Sequence, residues 1–310
     1  MSGPSSGALS ALSIAEIMAR AYRQRLLIPA FNIAYLPMVR PIAETVRRLG
    51  SFALVEVARP DIERFEAEGY AAVKREYERW SDPAHLRLHQ DHVPVIDEEG
   101  RAVDWRPLIS EAIGLDYHSV MLDGSRLPLE QNIAATRVVV ELSHPGVAVE
   151  GELGAVLGHE PGPLPPYEEL FRSGRGFTDV GEAERYVAET GVDWLSVAAG
   201  NIHGAISGAA KDQAKVQARL NIEHLRTISE RVAIPLVLHG GTGIELSCVL
   251  EAVGNGITKI NVGTAVRQPY EACLREGRSL AEAQEAVARG VEQHLRDYRI
   301  VGSAEALAGD

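Results

Sequence analysis

The chain has 310 residues, a hydrophobic content of 45% and a formal net charge of −12. This length accommodates two ordinary domains or one large α/β domain, and the apolar content suffices for a sizeable core. The acidic balance argues against nucleic acid and acidic membrane surfaces as partners, because both would repel the chain. Its two cysteines show no metal-type spacing, which indicates a reduced cytoplasmic protein. Neither a signal peptide nor an apolar run long enough to span a membrane is expected.

Short β-type runs alternate with longer amphipathic runs along the chain. We predict strands at Leu26–Ile33, Phe52–Ala58, Leu86–Asp91, Ser119–Asp123, Val147–Leu153, Trp194–Ala199, Leu236–His239 and Thr258–Val262. We predict helices at Ser13–Arg25, Met38–Leu49, Ile62–Trp80, Trp105–Ile113, Glu130–Leu142, Gly181–Thr190, Gln213–Arg231 and Glu245–Val253, and a final helical region at about Val266–Asp297. Eight strands, each followed by a helix, predict an α/β fold of one domain over residues 1–310, a (β/α)8 TIM barrel. We expect a flexible N-terminus at residues 1–12 and a mobile active-site loop at residues 158–176.

Polar residues collect where the predicted strands end, at the face where barrel enzymes carry their active sites. Strand three ends in Asp91 and His92, strand six runs into His203, and strand seven ends in His239. Any one of these histidines could be a hydrogen-bonded core residue, but three imidazoles with an open position suit a catalytic Zn²⁺. Asp91 and His92 are adjacent, so an extended backbone would point them to opposite sides of the chain. That arrangement favours separate roles, one as metal ligand and one as proton carrier.

Glycine-rich turns follow strands seven and eight. Gly240 to Gly243 and Gly263-Thr264 would expose backbone N–H groups and hydroxyls to a small anion. Glycine also serves ordinary tight turns, but the loops after strands seven and eight are the usual phosphate pocket of this architecture. The sequence therefore predicts a phosphorylated ligand.

These motifs resemble those of the class II, metal-dependent ketose-bisphosphate aldolases, which act on fructose and tagatose bisphosphates. The resemblance is carried, in order, by PAFNI, LHQDH, SVMLDGS, QNI, VEGELG, TGVDWLSVAAGNIHG, LVLHGGTGI, GITKINVGT and GSAEAL. It implies a cytoplasmic homodimer or homotetramer with Zn²⁺ and a monovalent cation such as Na⁺ or K⁺.

Carried over residue by residue, the resemblance puts Zn²⁺ on His92, His203 and His239. It makes Asp91 the acid/base at the hydroxyl of the cleaved bond and Glu160 the loop glutamate that moves the proton at carbon. Asp123 and Glu152 match acidic positions that support the metal or contact it directly. The positions matched to substrate phosphate and hydroxyl binding are Asn32, Gly204, Gly240, Thr242, Asn261 and Thr264.

Three departures from the family pattern bear on the substrate. Strand two lacks the usual Gln-x-Ser and carries Glu56 and Ala58 at those positions, followed by Arg59, a new anion contact or a solvated rim charge. Gly263 stands where fructose-bisphosphate aldolases often carry an aspartate, and Lys211 lies later than the family's lysine after strand six. They suggest a head group or stereochemistry that differs from fructose 1,6-bisphosphate.

The leading hypothesis is a zinc-dependent aldolase that reversibly cleaves a phosphorylated ketose to dihydroxyacetone phosphate and an aldehyde. The same chemistry on a divergent sugar phosphate is the first alternative. A non-catalytic homologue that binds metal and sugar phosphate is the second, although binding alone needs neither Asp91 nor Glu160. A metal-dependent barrel hydrolase would show an HxH pair on strand one, and PAFNI has none.

Overall fold

The computed structural model describes residues 7–143, 146–154, 166–201, 218–241 and 243–309. Eight parallel strands pair in chain order, and the sheet closes because β1 also pairs with β8. The strands are β1 (Ile28–Asn32), β2 (Ala53–Ala58), β3 (Leu86–Pro94), β4 (Ser119–Asp123), β5 (Ala148–Leu153), β6 (Trp194–Val197), β7 (Leu236–Leu238) and β8 (Ile257–Val262). The predicted (β/α)8 TIM barrel is confirmed.

Helices lie between the strands and at both ends of the described chain. They are α1 (Gly7–Ser10), α2 (Ile14–Gln24), α3 (Val39–Arg48), α4 (Arg59–Arg64), α5 (Tyr70–Trp80), α6 (Trp105–Gly114), α7 (Leu129–Leu142), α8 (Tyr167–Ser173), α9 (Val180–Thr190), α10 (Ile222–Val232), α11 (Leu246–Val253), α12 (Thr264–Arg275), α13 (Leu280–Asp297) and α14 (Ser303–Ala308). None of the helices in the described ranges combines the length and apolar character needed to cross a bilayer.

Two predicted helices are interrupted in the structure. The run Ile62–Trp80 is split into α4 and α5 because Glu68 and Gly69 have φ angles of 61° and 109°, which no α-helix accommodates. The final region Val266–Asp297 is split at Gly277, whose φ is 74°, before α13 begins behind its capping residue Ser279. Within the described part of the predicted helix Gln213–Arg231, residues 218–221 are not helical, and α10 begins at Ile222.

The barrel interior has an apolar layer near the amino ends of the strands. Alternate residues of a strand point to the same side, and these inward positions carry Ile28, Ala30, Leu54, Ala148, Trp194 and Val237. The same cluster contains Ile14, Ile17, Met18 and Ala21 of α2 and Ala304 and Leu307 of α14. Helices α2 and α14 therefore cover the amino-terminal end of the barrel.

This apolar cluster includes Leu9, which lies within the segment predicted to be flexible. Its side chain is 1% exposed, and its carbonyl accepts a hydrogen bond from Arg87 at 3.3 Å. Residues 1–6 lie outside the described chain. Because Leu9 is buried in this cluster, the chain already packs against the barrel at that position.

Replacing Ile17 by Ala should destabilise the fold, because its side chain is fully buried between α2 and the barrel. A buried isoleucine truncated to alanine costs about 2–5 kcal/mol in the free energy of unfolding. Urea unfolding followed by circular dichroism measures the change. Leu280→Ala, at a side chain that is 48% exposed, is the control and should leave the midpoint nearly unchanged. Equal midpoints for the two variants would contradict the packing role of α2.

Candidate active site

A β-bulge in β3 brings Asp91 and His92 into one site. The register between β3 and β4 shifts between Gln90 and Val93, and His92 has a φ of 33°. An extra residue of this kind re-aims the side chains around it. Ligand atoms of Asp91, His92 and His239 consequently lie within 4.8 Å of one another. The expectation that Asp91 and His92 point to opposite sides is therefore wrong, because the backbone between them is not extended.

His239 follows β7 and is fully buried. Its Nε2 lies 2.8 Å from Oε1 of Glu150, so Nε2 carries the proton and donates to the carboxylate. Its Nδ1 has no hydrogen-bond partner among the described residues and lies 3.8 Å from Oε2 of Glu152. Burial lowers the pKa of His239, with His92 adding to the effect, which keeps the ring neutral. A buried, neutral imidazole with one nitrogen oriented by a carboxylate and the other open is the form that ligates a metal.

His92 lies edge-on to His239, with ring centroids 4.2 Å apart. Its Nδ1 is 3.6 Å from both Asp123 Oδ2 and Glu152 Oε2. Burial alone would lower the pKa of His92, but Asp91, Asp123 and Glu152 together raise it well above its usual range. The concentration of carboxylates thus favours a cation here, either a proton on His92 or a metal ion that displaces it.

The donor set fits a divalent metal of the zinc type. His92, Asp123 and Glu152 form a second group whose ligand atoms lie within 4.8 Å of one another. Oε2 of Glu152 is buried without a hydrogen-bond partner among the described residues, and burial, reinforced by Asp123, raises the pKa of this carboxyl well above its usual range. Imidazole and carboxylate donors suit Zn²⁺. His203 lies outside the described residues, so its place as third imidazole stays a prediction.

Asp91 is held between two amide side chains. Asn261 donates to its Oδ1 at 2.9 Å, and Asn32 donates to its Oδ2 at 3.3 Å. Burial acts to raise the pKa of Asp91, but His92 and Lys259 lower it further than burial raises it. The carboxylate is therefore ionised and able to accept a proton. Substrate binding by Asn32 and Asn261 stays a prediction, since their described hydrogen bonds go to protein groups.

Beneath this site lies a layer of buried charge, made of Glu150, Lys259 and Glu56, whose mutual contacts the sequence did not reveal. Glu150 accepts hydrogen bonds from His239 and from Nε1 of Trp194, the latter at 2.6 Å. Lys259 Nζ lies 3.0 Å from Glu150 and 3.3 Å from Glu56. The only signal in the sequence was that Glu150 and Lys259 precede Glu152 and Asn261 by two residues, so each pair faces the same side of its strand.

Lys259 is a paired cation rather than a nucleophilic amine. Burial acts to lower its pKa, but Glu150 and Glu56 raise it above its usual range. A lysine that forms a Schiff base must lose its proton first, which these carboxylates oppose.

The described parts of the glycine-rich loops lie at the carboxyl ends of β7 and β8. Gly240 has a φ of 69°, and a Cβ on Gly241 would come within 2.7 Å of Ile260, so the backbone passes too close for a side chain. Thr264 begins α12, whose first N–H groups can receive an anion. Gly204, Thr242 and Glu160 lie outside the described residues.

The departures from the family pattern meet at the ends of β1, β2 and β8. A Cβ on Gly263 would lie 3.1 Å from Oδ1 of Asn32, so a larger residue requires Asn32 to move. The N–H of Ala58 donates to Oδ2 of Asp61 at 2.9 Å, and Asn32 approaches the same oxygen at 3.4 Å. Asp61 was missed by the sequence analysis because it lies in the short connection between the predicted strand Phe52–Ala58 and the predicted helix Ile62–Trp80.

Arg59, next to Ala58, is surrounded by acids. Its Nε lies 3.1 Å from Glu63, its Nη2 lies 3.7 Å from Asp97, and its side chain is 15% exposed. These contacts orient the guanidinium by ion pairs within the protein.

Comparison with known proteins agrees with the motifs and the fold. The family model described as fructose-bisphosphate aldolase class-II matches residues 12–304. The 6-phospho-5-dehydro-2-deoxy-D-gluconate aldolase of Halalkalibacterium halodurans is 34% identical over 232 residues, 71% of this chain and 72% of that protein. The D-tagatose-1,6-bisphosphate aldolase subunit GatY of Klebsiella oxytoca is 30% identical over 269 residues, 85% of each chain. The crystal structure of the YdjI aldolase from Escherichia coli K12 superposes with a TM-score of 0.71 at 23% identity, over 94% of this chain and 99% of that one, a likeness of fold.

The burial of Asp61 predicts a pH dependence of stability. Burial raises the pKa of Asp61 from 3.8 to about 6, so the folded protein holds this proton over a pH range in which the unfolded chain has lost it. Stability should therefore fall as pH rises from about 4 to about 6, and Asp61→Asn should remove up to about 3 kcal/mol of that fall. Urea unfolding at several pH values measures it.

The exposed residue Asp116 supplies the control. Asp116→Asn leaves Asp61 in place and should retain the wild-type pH dependence. Parallel stability curves for wild type and Asp61→Asn across this range would show that the carboxyl of Asp61 is not responsible.

Proposed function

The chain belongs to the class II fructose-bisphosphate aldolase family and is an aldolase, a carbon–carbon lyase, and we propose its reaction on that basis. We propose that it reversibly cleaves a phosphorylated ketose to dihydroxyacetone phosphate and an aldehyde. The main support is the juxtaposition of an ionised Asp91 with His92 and His239, all with ligand atoms within 4.8 Å. Proton acceptor and metal ligands thus share one site, as cleavage of a carbon–carbon bond next to a carbonyl requires.

His92 and His239 would hold Zn²⁺ together with His203, and Asp123 and Glu152 would supply supporting or alternative contacts. When bound, the ion supplies Lewis-acid chemistry that stabilises negative charge on the ketone half of the substrate. Binding requires neutral imidazoles; burial keeps His239 neutral, and its hydrogen bond to Glu150 leaves Nδ1 for the metal. Loss of the proton from His92 would accompany metal loading.

Asp91 would take the proton from the substrate hydroxyl that becomes the aldehyde. The hydroxyl oxygen gains its second bond to carbon as the carbon–carbon bond breaks, so the proton must leave in the same step. Hydrogen bonds from Asn32 and Asn261 keep the carboxylate oriented for this transfer. Glu160 would deliver a proton to the carbon atom of the departing ketone half, which completes the balance of the reaction.

The phosphate of the substrate would bind at the loops after β7 and β8. Gly240, Thr264 and the first turn of α12 support this placement, with Gly204 and Thr242 proposed from the family motifs. We further propose that a monovalent cation, Na⁺ or K⁺, binds near the phosphate. We also propose a homodimeric or homotetrameric assembly and a cytoplasmic location.

The substrate is proposed to be a sugar phosphate other than fructose 1,6-bisphosphate. The serine and aspartate of the fructose-bisphosphate pattern are Ala58 and Gly263 here, and Asp61 lies against Asn32 at this end of the site. The family includes relatives named for other phosphorylated sugars, so the same chemistry tolerates different substrates.

Asp91→Asn should lower kcat on the order of 10²–10⁴-fold, since the amide keeps the shape of the side chain but cannot take up the proton. A coupled assay of dihydroxyacetone phosphate release measures it. Ser196→Ala is the control, because the Ser196 hydroxyl is fully buried in the barrel without a hydrogen-bond partner among the described residues. Turnover by Asp91→Asn at the rate of the control would remove Asp91 from the proposed role.

Removal of metal by a chelator should abolish turnover, and Zn²⁺ should restore it, because the imidazole and carboxylate donors are arranged around a cation site. The restored enzyme is then assayed over a panel of ketose monophosphates and bisphosphates. Full activity in metal-free protein would refute the metal-dependent mechanism. The highest kcat/KM for fructose 1,6-bisphosphate would refute the substrate proposal alone and leave the chemistry intact.

A further inference from the structure

Lys259 is fully buried at the centre of the charged layer and has three neighbours with acceptor atoms. Its Nζ donates to Oδ1 of Asn261 at 2.7 Å and lies 3.0 Å from Oε2 of Glu150 and 3.3 Å from Oε2 of Glu56. An ammonium group has three N–H donors and no acceptor. Lys259 therefore donates a hydrogen bond to Asn261 and lies at ion-pair distance from Glu150 and Glu56, in each case facing an oxygen atom.

Through Asn261, Lys259 affects Asp91, the proposed proton carrier. Because Lys259 can only donate, Asn261 must turn its oxygen towards Lys259 and its nitrogen away from it. That nitrogen donates to Oδ1 of Asp91 at 2.9 Å. The ammonium group thereby sets the orientation of the amide that holds the Asp91 carboxylate.

Through Glu150, Lys259 affects His239, a proposed metal ligand. Oε2 of Glu150 lies 3.0 Å from Lys259 and accepts from Trp194 at 2.6 Å, which leaves Oε1 for Nε2 of His239. A proton fixed on Nε2 makes Nδ1 the nitrogen available to a metal. Lys259 thus acts on His239 through Glu150, as it acts on Asp91 through Asn261.

We propose that Lys259 is a positioning residue that couples the two halves of the site, because one buried ammonium orients both the proton carrier Asp91 and the metal ligand His239. The roles of Asp91 and His239 rest on the proposed function, whereas the hydrogen-bond geometry does not. In this arrangement Glu56 places a second carboxyl group 3.3 Å from Lys259 at the position where the family pattern has glutamine.

The test replaces the ammonium while limiting the unpaired charge left behind. Lys259→Met alone leaves both Glu56 and Glu150 buried without their cation, so Lys259→Met/Glu56→Gln is made beside it. Ser196→Ala is the matched interior control, and Glu56→Gln alone reports the effect of the second substitution. Zn²⁺ affinity is measured by titration of metal-free protein. The values of kcat and KM are measured at saturating Zn²⁺, and the fold is checked by circular dichroism.

For the double variant we expect Zn²⁺ to bind about 10–100-fold more weakly, as when the partner of a metal ligand is lost. We expect kcat at saturating Zn²⁺ to fall about 10–100-fold with KM within about threefold, because Asp91 is misoriented while substrate binding is retained. A crystal structure of the variant should show the Asn261 amide and the His239 ring in altered orientations.

Wild-type values of either Zn²⁺ affinity or kcat in the double variant would overturn the coupling. Loss of its fold would also overturn it, because Lys259 would then act through stability alone. Failure of the proposed function is a separate result, recognised when the wild-type protein itself neither binds Zn²⁺ nor releases dihydroxyacetone phosphate. The orientations of Asn261 and His239 in the variant structure would then still decide whether Lys259 positions them.

Discussion

The burial of the Glu150 carboxylate is the constraint on which the site is built. A carboxylate removed from water costs several kcal/mol unless charges and hydrogen bonds replace its hydration. Here His239, Trp194 and Lys259 surround its two oxygens. The requirement to satisfy this buried charge orients the imidazole above it and explains why a lysine lies inside the barrel.

A second constraint is the backbone at His92. A non-glycine residue with a φ of 33° costs about 1–3 kcal/mol and persists only where the surroundings enforce it. β3 pairs with β2 from Leu86 to Asp91, and its pairing with β4 resumes at Val93. The flanking pairing therefore holds the bulge, and the bulge places the proposed proton carrier Asp91 and the proposed metal ligand His92, from adjacent positions, in the same site.

The residues around the proposed metal site and those that depart from the family pattern lie largely on different strands. β3, β4, β5, β7 and β8 supply the carboxylates, imidazoles and amide around the proposed metal. The ends of β1 and β2, with Gly263 after β8, form the part that departs from the family pattern. Asn32 belongs to both, since its amide approaches Asp91 on one side and Asp61 on the other. A substitution at this end is thus physically linked, through Asn32, to the orientation of Asp91, the proposed proton carrier.

The sequence by itself determined the barrel and much of the site. Local alternation was enough to place β4 at its observed bounds and to put His92, His239, Asp123 and Glu152 at or near strand ends. Only the tertiary structure decided the bulge at His92, the break at Gly69 and the contacts of Glu150, Lys259 and Asp61. Period-two alternation reports which side of a strand a residue faces, but not which residue it meets there. Glu150 meets His239, 89 positions further along the chain, because barrel closure and strand stagger bring their side chains together.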